Sequence, residues 1–221
     1  GNPEGQSYSE DELEAIATIA RKYNIIILSD EIYGRIHHEG KHISIARFYP
    51  EGTIVSSGLS KWCGAGGWRI GTFSFPKELI WLLEPMNAVA SETYTSVSAP
   101  IQYGAITAYE GGNEIDEYLI HSRRILKVLG TTIFEILQQA NIRIHKPEGA
   151  FYLFPDFSDY SESLHKRNIF DSQTFCETLL NETGVALLPG SAFGRNPEEF
   201  TSRLAYVNFN GEKALNDSMK I

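Results

Sequence analysis

The sequence predicts an α/β protein: the remainder of a large domain with a mainly parallel sheet and covering helices, followed by a smaller α+β domain. Three observations lead there. Ile25-Ile26-Ile27-Leu28 is a short apolar run without alternation, the pattern of a strand buried on both faces in a parallel sheet. A helical pattern precedes it and a second β-rich run, Thr53–Ser57, follows it, which is the order of an α/β layer with crossover helices. Beyond residue 140 the pattern changes to short strands and one further helix.

Taken in order, Ser9-Glu10-Asp11-Glu12 is a capping box, in which serine and glutamate satisfy each other's free amides. Leu13, Ile16, Ala17 and Ala20 recur at helical spacing, and Tyr23-Asn24 closes that helix. The strand Ile25–Ser29 follows, with Asp30 and Tyr33 just past its end. Lys61 lies just past the strand Thr53–Ser57, and Ile70–Phe75 reads as another strand. Polar groups at the carboxyl ends of parallel strands sit in the ligand crevice of such sheets. Pro76 and Lys77 open a helix through Leu79, Leu82 and Leu83 that Pro85 limits or kinks. Another helix starts at Ser98-Ala99-Pro100 and ends at Gly111-Gly112. Glu114–Ala140 reads as one long helix with an apolar stripe of Ile125, Val128, Leu129, Ile133, Ile136 and Leu137. It spans roughly 40 Å, more than a small domain needs, and is expected to bridge two domains, residues 1–123 and 124–221. Strands are expected around Ile142–His145, Phe151–Phe154, Val185–Leu188 and Leu204–Phe209, with a helix near Ser172–Glu182 closed by Gly184. Asp156–Asn168 is polar and reads as loop.

Composition narrows the function. The 221 residues carry a net charge of −9, which argues against nucleic acid as the main partner. Two cysteines, Cys63 and Cys176, form neither a disulfide framework nor a zinc pattern, which fits a reducing, cytoplasmic compartment. No apolar run approaches a membrane span, and Gly1–Gly5 reads as a turn. His37, His38 and His42 lack metal-site spacing and read as a solvated loop, and Cys63 reads as inert packing. No metal is expected.

The chemistry gathers in Ser57–Gly71. Lys61 stands among small and apolar residues, with Arg69 eight positions on. A lysine in such company can lose its proton and become a nucleophile, and an arginine fork fits a phosphate. One residue that forms a Schiff base and one that holds a phosphate suggest pyridoxal 5′-phosphate (PLP), an aldehyde carrying a phosphate. That cofactor also needs a carboxylate to keep its ring nitrogen protonated, donors for its phenolic oxygen, and a cation for a substrate α-carboxylate.

Gly58-Leu59-Ser60-Lys61, Gly64-Ala65, Gly67 and Arg69-Ile70-Gly71 resemble the lysine-attachment signature of class I and II aminotransferases, which are fold type I PLP enzymes. Ser29-Asp30-Glu31-Ile32-Tyr33, Asn2-Pro3-Glu4-Gly5, Pro147–Tyr152, Gly184–Gly194 and Ser202–Tyr206 resemble further motifs of that family, in family order over nearly the whole chain. The resemblance implies that Lys61 holds PLP as a Schiff base and shuttles the proton. It implies that Asp30 pairs with the ring nitrogen and that Tyr33 and Asn2 serve the phenolic oxygen. Arg69 would grip the phosphate and Arg203 the substrate α-carboxylate. Amino acid and 2-oxo acid substrates and a homodimer are implied in the same way. Each residue also has an ordinary reading: a turn aspartate, a core tyrosine, a surface arginine.

Three departures stand out. Gly58 occupies a position where many members carry serine, leaving Ser57 or Ser60 as substitutes. No Lys, Arg or His occurs from Glu78 to Ile120, where members acting on dicarboxylic amino acids often carry an arginine, so a neutral, aromatic or sulfur-containing side chain is at least as well suited. The family is also nearly twice as long, so the chain reads as its carboxy-terminal half, expected to bind PLP poorly alone. Other PLP chemistry on the same fold (a β-lyase or synthase) and a non-catalytic PLP-binding regulator module are the alternatives.

Overall fold

A computed structural model describes residues 1–221. The chain forms two compact units, Tyr8–Ile120 and a second that joins Gly1–Ser7 to His121–Ile221.

The first unit begins with α1 (Glu10–Lys22). Ser9 accepts from the Glu12 amide while the Glu12 carboxylate accepts from the Ser9 amide, so the expected capping box is formed. Leu13, Ala17 and Ala20 are buried against Ile45 and Tyr49, with Ile27 and Phe48 packed beside them. Ile27 belongs to β1 (Ile27–Asp30), which pairs in parallel with β2 (Thr53–Gly58). β2 in turn pairs antiparallel with β3 (Gly71–Ser74), so the order is β1-β2-β3 with β2 central. The sheet is therefore mixed, because the Leu59–Ile70 turn folds the chain straight back. The crossover from β1 to β2 is not an α-helix. It consists of three 3-10 turns, at Gly34–Ile36, Ile45–Arg47 and Pro50–Gly52, where Gly34, Gly40, Pro50 and Gly52 break any longer helix.

The expectation of a strand buried on both faces is corrected. Ile25 and Ile26 precede β1 and are exposed, and Leu28 is 60% exposed. Ile27 faces the α1 core, whereas within this unit the face that carries Leu28 and Asp30 is exposed. After β3, a 3-10 segment (Lys77–Leu82) runs into α2 (Leu83–Thr93). Pro85 sits in the first turn of α2, where its missing N–H costs nothing. α3 (Ala99–Glu110) and α4 (Asn113–Gln139) follow, and the unit boundary falls within α4.

In the second unit, β4 (Tyr152–Leu153), β5 (Leu188–Pro189) and β6 (Ser202–Ala205) form a sheet ordered β4-β6-β5, with both pairs antiparallel. The expected strand at Ile142–His145 reduces to a single bridge between Arg143 and Asp156. The expected loop at Asp156–Asn168 contains a 3-10 turn and α5 (Ser161–His165), because Leu164 and Ile169 are drawn into a core with Phe175, Cys176 and Phe200. α6 (Ser172–Thr183) supplies Phe175 and Cys176 and ends at Gly184 with φ 75°. Burial pushes the Cys176 thiol up to about 11, helped by Glu177. α7 (Gly211–Ser218) is the last helix. Two residues of the α4 stripe, Val128 and Ile136, remain exposed. No helix is long and apolar enough to cross a membrane.

Candidate active site

In the first unit, parallel pairing sets the carboxyl ends of β1 and β2 side by side, with Asp30 opposite Ser56. Asp30 ends β1 and is exposed, and its Oδ1 accepts from the Ile32 amide at 3.2 Å. That bond tightens the turn leading to Tyr33. Lys61 lies in the turn after β2, and its Nζ is 5.7 Å from the centroid of the Tyr33 ring. Three of the expected residues, Asp30, Tyr33 and Lys61, thus come from two neighbouring strand ends, the place where α/β sheets bind ligands.

Gly58, the departure from the family pattern, has a packing reason. A Cβ there would stand 2.8 Å from the Ile70 carbonyl oxygen and 3.2 Å from the Gly71 Cα. The antiparallel return of β3 therefore leaves no room for a serine. Around Gly67 nothing lies within 4 Å of an added Cβ, so the turn between Lys61 and Arg69 is open. Arg69 is exposed, adopts the left-handed conformation (φ 53°), and donates from Nη1 to the Gly66 carbonyl at 3.1 Å.

Glu31, not singled out in the sequence, is the most densely bonded carboxylate here. It accepts from Ser44 Oγ at 2.6 Å and Ser29 Oγ at 3.1 Å, and it pairs with His42 Nε2 at 2.8 Å. Burial alone would push its carboxyl up, but the bonds from His42, Ser44 and Ser29 outweigh that and hold it below the usual range. In the histidine stretch residues 39–42 are an exposed loop as expected, but His42 pairs with Glu31 and His38 is buried. No cluster of three or more metal-binding side chains occurs.

In the second unit, Gly1–Ser7 is tied down by its backbone. The Gly5 carbonyl accepts from the amides of Glu148 and Gly149, and the Ser7 amide donates to Glu148 Oε2 at 2.9 Å. This brings Asn2 to Arg203 on β6, whose Nη1 donates to Asn2 Oδ1 at 2.8 Å. The guanidinium lies between two rings, 4.6 Å from the Tyr152 centroid and 4.9 Å from that of Phe193. Its Nε is buried and has no hydrogen-bond partner within the chain. A planar cation sandwiched between aromatic faces, with donors unspent, suits a carboxylate. Tyr152 and Phe193 lie within family-like motifs, but their contacts with Arg203 depend on the antiparallel β4–β6 and β5–β6 pairings, which no local pattern encodes.

The family model described as "Aminotransferase class I and II" matches residues 1–209. Aspartate aminotransferase of Bacillus subtilis is 35% identical over 210 residues, covering 93% of this chain and 51% of that protein. Among solved structures, a double mutant of Thermus thermophilus aspartate aminotransferase aligns with a TM-score of 0.79 at 30% identity, over 100% of this chain and 53% of that one. An aromatic aminotransferase of Pyrococcus horikoshii OT3 gives a TM-score of 0.81 at 30% identity, over 99% and 56%. The chain spans about half the length of the curated relatives it matches. With its family-like motifs carried on an α/β fold of the same kind, the chain belongs to the class I and II aminotransferases.

Proposed function

We propose that the full-length protein is a PLP-dependent aminotransferase that moves an amino group between an amino acid and a 2-oxo acid, with Lys61 as the lysine that bears the cofactor. The observation that carries this reading is the meeting of Asp30, Tyr33 and Lys61 at two adjacent strand ends, with the Lys61 ammonium 5.7 Å from the Tyr33 ring centroid. The residues present fit the group. PLP, when bound, supplies an aldehyde for amines and a ring that draws electrons from the substrate α-carbon.

The chain's own residues do the remainder. Asp30 offers a carboxylate to the protonated ring nitrogen, which keeps that nitrogen charged. Tyr33 donates to the phenolic oxygen. In the second unit, Asn2, whose Oδ1 is engaged by Arg203, keeps its amide N–H groups to donate. Arg69 and the open turn before it take the phosphate. Arg203 holds the substrate α-carboxylate and so orients the α-hydrogen. Lys61 would hold and move the proton at the substrate α-carbon.

The absence of any cation from Glu78 to Ile120 favours a substrate with a neutral, aromatic or sulfur-containing side chain. Exposed Trp81, Val89, Tyr94 and Tyr103 support burial against further protein, including a homodimer, and two cysteines without a disulfide framework support a reducing, cytoplasmic setting. The test is product analysis of the full-length protein with PLP and a panel of amino acids, using 2-oxoglutarate as acceptor. Formation of the matching 2-oxo acid and glutamate is expected; stoichiometric ammonia release instead would contradict transamination.

A further inference from the structure

The turn that carries Tyr33 is fastened at both ends. On one side the Glu31 amide donates to the Ser56 carbonyl of β2 at 2.8 Å, and the Glu31 carboxylate is held by Ser29, His42 and Ser44. The His42 ring lies directly against the backbone at Gly34, where an added Cβ would stand 2.7 Å from it. On the other side Arg35 stacks on Trp62, with its guanidinium carbon 4.5 Å from the ring centroid. Trp62 follows Lys61 directly in the chain and is only 3% exposed, whereas Arg35 is a surface residue. The Arg35–Trp62 stack therefore joins the turn bearing Tyr33 to the turn bearing Lys61 by a contact outside both strands.

We propose that Arg35 and Trp62 are positioning residues: their stack fixes the Lys61 backbone relative to the Tyr33 turn and so holds the lysine amine over the phenol ring. Neither side chain is assigned a contact with cofactor or substrate, so they act through Lys61. A flexible lysine side chain reaches many positions, and a covalent step at its amine loses rate steeply when the reacting atom is misplaced. Fixing the residue next to it restricts that search. The stack differs from ordinary core packing, because the arginine half is at the surface and its truncation opens no cavity. This inference rests on the assignment of Lys61 as the cofactor-bearing lysine.

The test uses the full-length protein stripped of cofactor, with PLP added back and covalent capture followed by absorbance. Arg35→Ala is expected to slow capture and lower kcat, each roughly fivefold, with KM and Tm nearly unchanged. Arg35→Lys keeps a cation over the ring and is expected to retain most of the wild-type capture rate and kcat, as is Trp62→Phe, which keeps a ring beneath the cation. Wild-type capture rate and kcat in Arg35→Ala would overturn the inference while leaving the functional reading intact. Absence of covalent capture by the unsubstituted protein would overturn both.

Discussion

Arg203 shows how a single residue is prepared for the role proposed for it. Its charge is held by Asn2 and two aromatic faces while Nε stays buried without an acceptor. Charge-assisted, paired bonds to a carboxylate are the strong ones. Arg203→Ala in the full-length protein is therefore expected to lower kcat/KM for amino acid substrates roughly hundredfold or more, measured by steady-state kinetics. Arg203→Lys is expected to recover only part of that, because lysine lacks the planar fork. Gly58 makes the opposite point. Gly58→Ser adds a hydroxyl at that position, yet its Cβ would press on the Ile70 carbonyl and the Gly71 Cα. The variant is expected to unfold at a lower temperature and to gain no PLP affinity, read by calorimetry and cofactor titration. Lys61 stands out in the sequence by its small and apolar neighbours, and Asp30 and Arg203 by their place in family-like motifs. The aromatic partners of Arg203, the Arg35–Trp62 stack and the bonds around Glu31 do not stand out there, since each arises from contacts across turns or strands.

At the scale of elements, local signals were read well where they are strong. The Ser9 capping box, the Gly184 end of α6 and the long α4 all form. Ser9→Ala is expected to cost about 1 kcal/mol, measured by denaturant unfolding. Weak signals failed where tertiary packing decides: Ile142–His145 pairs only through one bridge, and α5 forms because Leu164 and Ile169 reach a core. The segment after β1 has its own pH signature. The Glu31 carboxyl is held below its ordinary value, so its bonds contribute stability above the unfolded value of about 4.3. That contribution is lost as pH falls through the lower folded value. Glu31→Gln is expected to be less stable near neutrality and to show a shallower loss of Tm on acidification below about pH 4.3, measured by thermal melts across that range.

For the whole molecule, the face of β1 that carries Leu28 and Asp30 is exposed within its unit, although its composition reads as a buried strand. The sequence pattern records burial that this unit does not itself supply, and the chain spans about half the length of its matched relatives. A carboxylate open to water holds a ring cation weakly, because solvent screens the pair. The 221-residue chain alone is therefore expected to bind PLP far more weakly than the full-length protein, by equilibrium titration. The central claim concerns one amine. Borohydride reduction of the PLP-loaded full-length protein, followed by proteolysis and mass spectrometry, tests it most directly. The account predicts a phosphopyridoxyl group on Lys61 and none anywhere in Lys61→Ala; a label on another lysine, or none on the unsubstituted protein, would contradict it.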